Sequence, residues 1–332
     1  MKLAILGSGG FGTAMALVAA NAGHQVAMWG HDAQNTAAIA RTRRNPRYLE
    51  DVELPPSVLV TTDFGAVLDD AFAALVAVPT QHVRAVLQAM AAAGALRAAL
   101  PMVSLAKGLE QSTGMRPSEV IAEVAGDPEQ VFVLSGPSHA EEVARAMPTT
   151  VVLAGHDPAM LQRLQTELST AAFRIYRNAD IVGVELCGAL KNVMALAAGI
   201  ADGLGCGDNT KAAILSRGIV EMTRYGRAHG ADERTFQGLA GVGDLAVTAF
   251  SRHGRNRAFG ERIGRGETMQ QALAASPKVA EGVWTARVVA ERAQALGVDM
   301  PIADAVCRVL YFGLPPHQAV RALMERDPKA EG

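Results

Sequence analysis

Apolar positions divide the chain into two halves with different patterns. In the first half, short apolar runs alternate with longer runs of helical periodicity, which is typical of a mostly parallel sheet covered by helices on both faces. The predicted strands are residues 2–6, 25–29, 58–61, 74–78, 102–105, 131–135, 149–154 and 173–176. The main helices predicted between them are residues 13–21, 33–41, 81–92, 117–124 and 158–168.

Beyond residue 180 only helical patterns remain. Residues 181–204 predict one long helix whose apolar positions surround most of its circumference, as in a helix buried inside a domain. Further helices are predicted at residues 212–229, 269–275, 283–296, 301–312 and 317–324. The predicted fold class is therefore α/β: an N-terminal Rossmann-like, doubly wound sheet at residues 1–180, with a second, all-helical C-terminal domain at residues 181–332.

The composition of the chain argues against several classes of function. A chain of 332 residues has length for two domains, and a net charge of −2 gives no electrostatic case for nucleic acid or an acidic membrane. The 3 cysteines show neither C-x-x-C nor zinc-ligand spacing, so we expect no metal site and a reducing compartment. No uninterrupted run of 18 apolar residues occurs, so we expect a cytoplasmic protein without stable membrane insertion.

A glycine-rich segment, GSGGFG, follows the first predicted strand and opens the first predicted helix. Its glycines at Gly7, Gly9 and Gly12 have the G-x-G-x-x-G spacing of a dinucleotide-binding loop. In such a loop the glycines permit a tight turn, close approach of a pyrophosphate and close packing of helix on strand. An ordinary glycine-rich turn is the alternative, and the flanking strand and helix favour the nucleotide site.

The preference between NAD and NADP stays open in the sequence. Asp32 follows the second predicted strand, where an acid can bind the adenosine ribose, but it can equally cap the helix that begins at residue 33. Arg41, Arg43 and Arg44 lie one helix away, either as a 2′-phosphate site or as a solvated charge cluster.

Two further segments follow predicted strands at the end of the sheet where ligands bind. Lys107 comes directly after the strand at 102–105 and is placed to meet an anion or a carbonyl. Gly136 and Ser138 belong to a turn after the strand at 131–135, where backbone can approach a ligand. A surface lysine and an ordinary capped turn are the alternatives.

Lys191 and Asn192 interrupt the apolar helix at 181–204. Burying a lysine is costly unless it is paired or neutral, and a desolvated amine has a lowered pKa that suits proton transfer near neutral pH. A lysine whose stem is buried and whose ammonium reaches water is the alternative.

A glycine-rich turn at residues 238–244 ends in Asp244, with Thr248 following it. We then predict a loop in which Arg255 and Asn256 clamp a phosphate dianion, because a guanidinium binds phosphate through two hydrogen bonds.

These motifs, in this order, resemble NAD(P)-dependent glycerol-3-phosphate dehydrogenase of the bacterial type. The resemblance rests on residues 7–12, 29–32, 106–110, 135–137, 190–193, 241–245, 255–257 and 279–282, and it spans nearly the whole chain. Gly10 and Gly254 depart from the family, because each stands where a serine is common.

The resemblance implies the interconversion of dihydroxyacetone phosphate and sn-glycerol 3-phosphate by hydride transfer, which supplies phospholipid synthesis. The implied catalytic residues are Lys191, Lys107, Asn192 and Asp244. The implied substrate site adds Gly136, Ser138, Thr248, Gly254, Arg255 and Asn256. The implied contacts of the cofactor, NADP or NAD, are Gly7, Gly9, Gly10, Phe11, Gly12, His31, Lys107, Ala140, Arg255, Val279 and Glu281.

Two alternatives remain at this point. One is another reductase with a Rossmann and a helical domain, of the 3-hydroxyacyl-CoA or ketopantoate type, and the other is a non-catalytic dinucleotide-sensing module. The expected partner is a small phosphorylated substrate. The sequence allows a homodimer without determining the oligomeric state.

Overall fold

The computed structural model describes residues 1–97, 99–251, 254–275, 280–327 and 330. The chain divides into two compact units. The first unit comprises Met1–Glu110 and Met115–Glu185, and the second comprises Gln111–Gly114 and Leu186–Gly332.

The first unit is built on one large sheet and a small hairpin. Its strands are β1 (Lys2–Leu6), β2 (Gln25–Trp29), β3 (Arg44–Asn45), β4 (Leu49–Glu53), β5 (Val58–Thr61), β6 (Ala71–Val76), β7 (Met102–Ser104), β8 (Val131–Ser135), β9 (Thr149–Gly155) and β10 (Phe173–Asn178). The large sheet has 8 strands in the order β10-β9-β8-β7-β6-β1-β2-β5. All neighbours are parallel except β8 and β9, which are antiparallel, while β3 and β4 form the hairpin.

Helices cover both faces of this sheet. They are α1 (Gly10–Asn21), α2 (Ala33–Thr42), α3 (Phe64–Leu68), α4 (Val83–Ala92), α5 (Pro117–Ala125), α6 (Ala140–Ala144) and α7 (Pro158–Leu168). Successive residues of β1 alternate between the two resulting cores: Leu3 and Ile5 pack into one, and Ala4 and Leu6 into the other. Apolar residues on both faces explain why the sequence shows continuous apolar runs here rather than alternation.

The predicted Rossmann-like sheet is confirmed, with each predicted strand present. One strand starts earlier and ends earlier than predicted, at Ala71–Val76 rather than at residues 74–78. The hairpin of β3 and β4 was not predicted, because its residues are mostly polar and exposed.

The second unit is helical in the residues that the structure describes. Its helices are α8 (Ile181–Gly203, whose first residues belong to the first unit), α9 (Asp208–Ala228), α10 (Glu233–Phe236), α11 (Asp244–Phe250), α12 (Arg255–Gly264), α13 (Met269–Ala274), α14 (Glu281–Leu296), α15 (Pro301–Tyr311) and α16 (Pro316–Met324). A short π-helical turn, Leu239–Gly243, leads into α11.

Helix α8 is long and apolar enough to cross a membrane, judged by length and composition only. Within the structure, however, 89% of its most apolar stretch is buried. Such burial is what the core helix of a globular domain shows, so the length of α8 is weak evidence for a membrane span.

Candidate active site

Close backbone packing shapes the glycine-rich loop between β1 and α1. Gly7 has a φ of +127°, and a Cβ atom added there would lie 2.6 Å from the carbonyl oxygen of Ala77. A Cβ added at Gly12 would lie 2.0 Å from the carbonyl oxygen of Gly7. Side chains are therefore excluded at both positions, as in a loop where helix and strand pack closely around a dinucleotide.

The N-terminus of α1 suits an anion. Gly9 precedes the helix, and no side chain of the described residues caps it. The N–H groups of the first turn and the helix dipole together favour a phosphate at such an end. A Cβ added at Gly9 would meet no described atom within 4 Å, so the loop has space beside it. These features fit the pyrophosphate of a dinucleotide.

Three other predicted cofactor contacts lie in or beside this loop. A Cβ added at Gly10 would lie 3.7 Å from the Cβ of Ala140, which begins α6. This is ordinary van der Waals contact, so Gly10 has room for the serine that is common in the family. Phe11 is partly buried against one of the two cores of the sheet.

At the end of β2, Asp32 has one of the two roles that the sequence left open. Its Oδ1 accepts hydrogen bonds from the backbone N–H groups of Gln34 at 3.0 Å and Asn35 at 3.1 Å, so Asp32 caps α2. The N–H of Asn35 is the main cause that lowers the pKa of this carboxyl. His31 is exposed beside it.

Two of the three arginines suggested for a 2′-phosphate have other partners. Arg43 donates to the backbone carbonyls of Leu54 at 3.3 Å and Val58 at 2.8 Å, so it fixes the chain that follows the hairpin. Arg44 pairs with Glu53 across the hairpin at 3.3 Å. Arg41 is exposed in the last turn of α2.

Lys107, Gly136 and Ser138 come together beyond the ends of β7 and β8. The Nζ of Lys107 donates to the carbonyl oxygen of Gly136 at 2.8 Å and lies 3.4 Å from the Oγ of Ser138. Gly136 has a φ of +125°, which favours glycine, and this turn aims its carbonyl at the lysine. Gly136 and Ser138 thus help to position the ammonium of Lys107.

In the second unit, Lys191 lies in a buried ion pair. Its Nζ is 2.6 Å from Oδ1 of Asp244 and 2.7 Å from Oγ1 of Thr248. Lys191 is 6% exposed and Asp244 is 1% exposed. A buried ion pair of this kind requires good geometry and further hydrogen bonds, and Thr248 supplies one of them. The structure therefore brings together three residues that the sequence singled out.

The π-helical turn at Leu239–Gly243 positions Asp244 next to Lys191. A Cβ added at Gly241 in this turn would lie 2.0 Å from the carbonyl oxygen of Phe236. The turn can therefore pack against the preceding helix only with glycine at this position. It places Asp244 at the start of α11, with Thr248 on the same face of the helix. The sequence predicted a glycine-rich turn that ends in an acid, and the structure shows that the turn is π-helical, a form that is frequent at functional sites.

Asn192 and Asn256 form a chain of hydrogen bonds. The Nδ2 of Asn256 donates to Oδ1 of Asn192 at 2.9 Å, and Oδ1 of Asn256 accepts from the N–H of Gly282 at 3.0 Å. Gly282 belongs to α14, and a Cβ there would lie 2.6 Å from the carbonyl oxygen of Asn192. Three helices of the second unit, α8, α12 and α14, are thus joined around these amides.

Arg255 is exposed in the first turn of α12. The sequence prediction of a loop at Arg255 and Asn256 is therefore wrong, because both residues are helical. Within the described part of the chain Arg255 has no hydrogen-bonding or ionic partner, and no side chain caps the helix. A guanidinium beside a helix N-terminus is a chemically suitable site for a phosphate.

Gly254 precedes this helix, and its surroundings explain a departure from the family. A Cβ added at Gly254 would lie 2.7 Å from the carbonyl oxygen of Thr248. Backbone therefore occupies the space that a serine side chain would need at this position. Any contact of Gly254 with substrate would therefore involve its backbone.

Sequence reasoning missed a second charged group beside this site. Arg257 pairs with Asp202 at 2.7 Å and donates to the carbonyl oxygen of Ser251 at 3.1 Å, and Lys211 pairs with Asp202 at 2.6 Å. These bonds hold the segment that leads to Arg255. Asp202 lies near the end of α8, 55 residues before Arg257, so no local pattern in the sequence indicated the pair.

Of the two remaining predicted cofactor contacts, the structure describes one. Glu281 is the first residue of α14 and is half-buried. Val279 lies outside the described residues.

Comparisons with known proteins agree with this arrangement. Two family models match: the N-terminus of NAD-dependent glycerol-3-phosphate dehydrogenase at residues 2–161, and its C-terminus at residues 180–321. A glycerol-3-phosphate dehydrogenase [NAD(P)+] of Prosthecochloris aestuarii is 45% identical over 100% of both chains. One of Streptomyces griseus is 46% identical over 100% of this chain and 98% of its own.

A solved structure indicates the same family. The crystal structure of glycerol-3-phosphate dehydrogenase from Coxiella burnetii has a TM-score of 0.93 and 36% sequence identity, and the match covers 98% of this chain and 99% of that one.

Proposed function

Because the chain belongs to the NAD-dependent glycerol-3-phosphate dehydrogenase family and interconverts dihydroxyacetone phosphate and sn-glycerol 3-phosphate, we propose that Lys191 transfers the proton in this reaction. The enzyme uses NAD or NADP, and its product supplies phospholipid synthesis. The full-length matches do not favour a ketopantoate or hydroxyacyl-CoA reductase or a non-catalytic sensor.

The buried pair of Lys191 and Asp244 carries this proposal. Reduction of the ketone creates negative charge on its oxygen, and a buried ammonium can donate a proton to that oxygen. In the reverse direction the amine accepts the proton. Asp244 and Thr248 orient the Nζ of Lys191 through bonds of 2.6 Å and 2.7 Å, so the proton is held at a defined position.

Two further residues are proposed to polarise the same oxygen. Lys107 brings a positive charge that is held by the carbonyl oxygen of Gly136 at 2.8 Å and lies 3.4 Å from the Oγ of Ser138. Asn192 has an amide fixed by Asn256, which limits the side chain to one orientation. Fixed dipoles and charges of this kind stabilise the developing oxyanion without reorganising.

The phosphate of the substrate is proposed to bind at the start of α12. Arg255 provides the guanidinium, and Asn256 provides an amide beside the helix N-terminus. Gly136, Ser138, Thr248 and Gly254 complete the proposed substrate site.

The cofactor is proposed to bind at the glycine-rich loop of the first unit, and it supplies or accepts the hydride. Gly7, Gly9, Gly10 and Gly12 shape that loop, and Phe11, His31 and Ala140 are proposed to contact the cofactor beside it. Lys107, Arg255, Val279 and Glu281 are proposed as further contacts. On this proposal the first unit serves the dinucleotide and the second unit serves the substrate and the proton transfer.

We also propose that the enzyme acts in the cytoplasm as a homodimer. The second unit exposes large apolar side chains, with Phe312 at 73% and Met324 at 81% exposure, which a partner copy would cover. Light scattering after gel filtration should give twice the chain mass, and a monomer at micromolar concentration would refute the dimer.

The experiment that tests the substrate assignment is oxidation of NADPH and NADH by the purified protein, followed through nicotinamide absorbance. We expect turnover with dihydroxyacetone phosphate and far less with dihydroxyacetone, because the phosphate supplies binding energy at Arg255. Equal efficiency with both ketones, or a preference for ketopantoate, would refute the assignment.

A further inference from the structure

The hairpin formed by β3 and β4 is attached to the glycine-rich loop through Asn45. The Nδ2 of Asn45 donates to the carbonyl oxygen of Ser8 at 2.9 Å and to Oγ1 of Thr13 at 2.7 Å. Asn45 is 0% exposed. A carbonyl oxygen only accepts, so this contact also fixes which way the amide faces. The hairpin therefore has a defined position beside the proposed cofactor loop.

The tip of this hairpin brings Arg47 to the end of β2. The Nη1 of Arg47 lies 3.4 Å from Oδ2 of Asp32, and its guanidinium lies 5.5 Å from the centre of the Tyr48 ring. The side chain of Arg47 is 50% exposed. A half-exposed pair at this distance is weak, so an anionic ligand can replace the carboxylate as partner of Arg47.

Asp32 is poorly placed to bind a ribose hydroxyl. Its Oδ1 is committed to the two N–H groups that open α2, and its Oδ2 faces Arg47. In Rossmann folds an acid at this point accepts from the ribose 2′-hydroxyl of NAD, whereas a nearby arginine accommodates the 2′-phosphate of NADP. The acid here acts as a helix cap, while the arginine is exposed.

Two neighbouring arginines, Arg43 and Arg44, are already engaged elsewhere. Arg43 is turned towards backbone carbonyls, and Arg44 is paired with Glu53 on the opposite strand. Arg47 is the arginine of the hairpin that the structure places against Asp32.

We propose that Arg47 binds the 2′-phosphate of NADP(H) and thereby makes this enzyme prefer the phosphorylated dinucleotide. The assignment rests on the proposed cofactor site at the glycine-rich loop, and it is independent of the assignment of the substrate. A guanidinium can give a phosphate dianion two charge-assisted hydrogen bonds, and Asn45 holds the hairpin that carries it.

The test measures binding without turnover. Quenching of tryptophan fluorescence and calorimetry would give the Kd of NADPH, NADH, adenosine 2′,5′-bisphosphate and AMP for the wild type, Arg47→Ala, Arg47→Lys and Arg44→Ala. We expect the wild type to bind NADPH more tightly than NADH, and adenosine 2′,5′-bisphosphate more tightly than AMP. Arg47→Ala should raise the Kd of the two 2′-phosphorylated ligands roughly tenfold to a hundredfold, and it should change the Kd of NADH and AMP less than about threefold. Arg47→Lys should restore part of the loss.

Arg44→Ala is the matched control on the same hairpin and should leave all four affinities within about threefold. The proposal is overturned if Arg47→Ala weakens NADPH and NADH by the same factor, if the wild type prefers NADH, or if Arg44→Ala causes the loss instead.

A second variant tests Asp32 directly. Asp32→Ser keeps a side chain that can cap α2 but removes the carboxylate. NADH affinity should change less than about threefold, and NADPH affinity should stay equal or rise, because Arg47 loses its competing partner. A large loss of NADH binding would show that Asp32 holds the ribose, which contradicts the proposal. Failure of turnover with dihydroxyacetone phosphate would refute the substrate assignment and leave these binding ratios as a separate result.

Discussion

The two units build their proposed binding sites by opposite means. In the first unit, backbone forms the site: Gly7 and Gly12 allow chain segments to touch, and an uncapped helix offers N–H groups. In the second unit, charged and amide side chains form it: Lys191, Asp244 and Arg255 bring the charges, and buried amides join three helices. We therefore expect the first site to lose binding when a side chain is added to one of its glycines. The second site should lose activity when one of its charged side chains is removed.

Removing the amine of Lys191 should have the largest effect. We expect Lys191→Met to lower kcat by about 10²–10⁴, the usual contribution of a general acid. Stopped assays with dihydroxyacetone phosphate would measure the loss, and calorimetry should show dinucleotide binding almost unchanged.

The single variant leaves Asp244 buried without its cation, which destabilises a protein by several kcal/mol. The double variant Lys191→Met with Asp244→Asn removes both charges and separates folding from catalysis. Recovery of wild-type kcat in the folded double variant would eliminate Lys191 as the proton donor.

Removing the guanidinium of Arg255 should have a smaller effect that depends on the substrate. We expect Arg255→Ala to lower kcat/KM for dihydroxyacetone phosphate by roughly 10–150-fold, since charge-assisted hydrogen bonds are lost, and to affect dihydroxyacetone far less. Arg265→Ala is the matched control, because Arg265 lies at the other end of α12 and pairs with Glu261 at the surface. Equal losses with both ketones would mean that Arg255 does not bind the phosphate.

Adding one methyl group should damage the first unit. A Cβ at Gly12 overlaps the backbone of Gly7, so we expect Gly12→Ala to weaken dinucleotide binding by roughly tenfold to a hundredfold or to lower the Tm. Gly207→Ala serves as control, because it also precedes a helix but an added Cβ there meets no described atom within 4 Å. If Gly12→Ala keeps both its affinity for NADPH and its Tm, the loop does not need the close packing described above.

The second unit also contains a buried carboxyl group whose partners are backbone N–H groups, which gives its stability a dependence on pH. Glu221 accepts from the N–H groups of Ile302 at 2.9 Å and Ala303 at 3.3 Å, and burial raises its pKa to about 7. Because the folded pKa exceeds the unfolded one, the stabilisation is fully present below pH about 4.5 and is lost as pH rises through about 7.

Between pH 5 and pH 7 the free energy of unfolding should fall by about 2 kcal/mol through this group. Glu221→Gln should remove that slope in urea titrations, while Glu325→Gln at the surface should keep it. An unchanged slope in Glu221→Gln would mean that the carboxyl stays charged in the fold.

The strands and helices that could be predicted from the sequence are those whose burial produces a recognisable pattern of apolar residues. The strands of the large sheet are apolar on both faces, and Ile181–Gly203 is apolar nearly all round, so each can be identified without the structure. Lys191 stands out because charge is rare in such a helix.

Elements without such a pattern were missed. The β3–β4 hairpin is short and polar, and its function in the fold rests on one asparagine whose partners lie 32 and 37 residues away. Glycines and charged residues also concealed the helical start of α12 at Arg255. No local pattern encodes these distant bonds, so neither Asn45 nor the pairing of Arg257 with Asp202 was foreseen.

The route of the chain bears on how this enzyme can be divided. The segment Gln111–Gly114 belongs to the second unit, although residues of the first unit precede and follow it. Arg292 of α14 donates to the carbonyl oxygen of Thr113 at 2.8 Å and so ties that segment to its own unit. A fragment that ends at Glu185 would carry four residues whose partners are missing, and a fragment that starts at Leu186 would lack them. Exchange of halves between relatives, in evolution or in the laboratory, therefore needs two matched cuts around this segment as well as the one in α8.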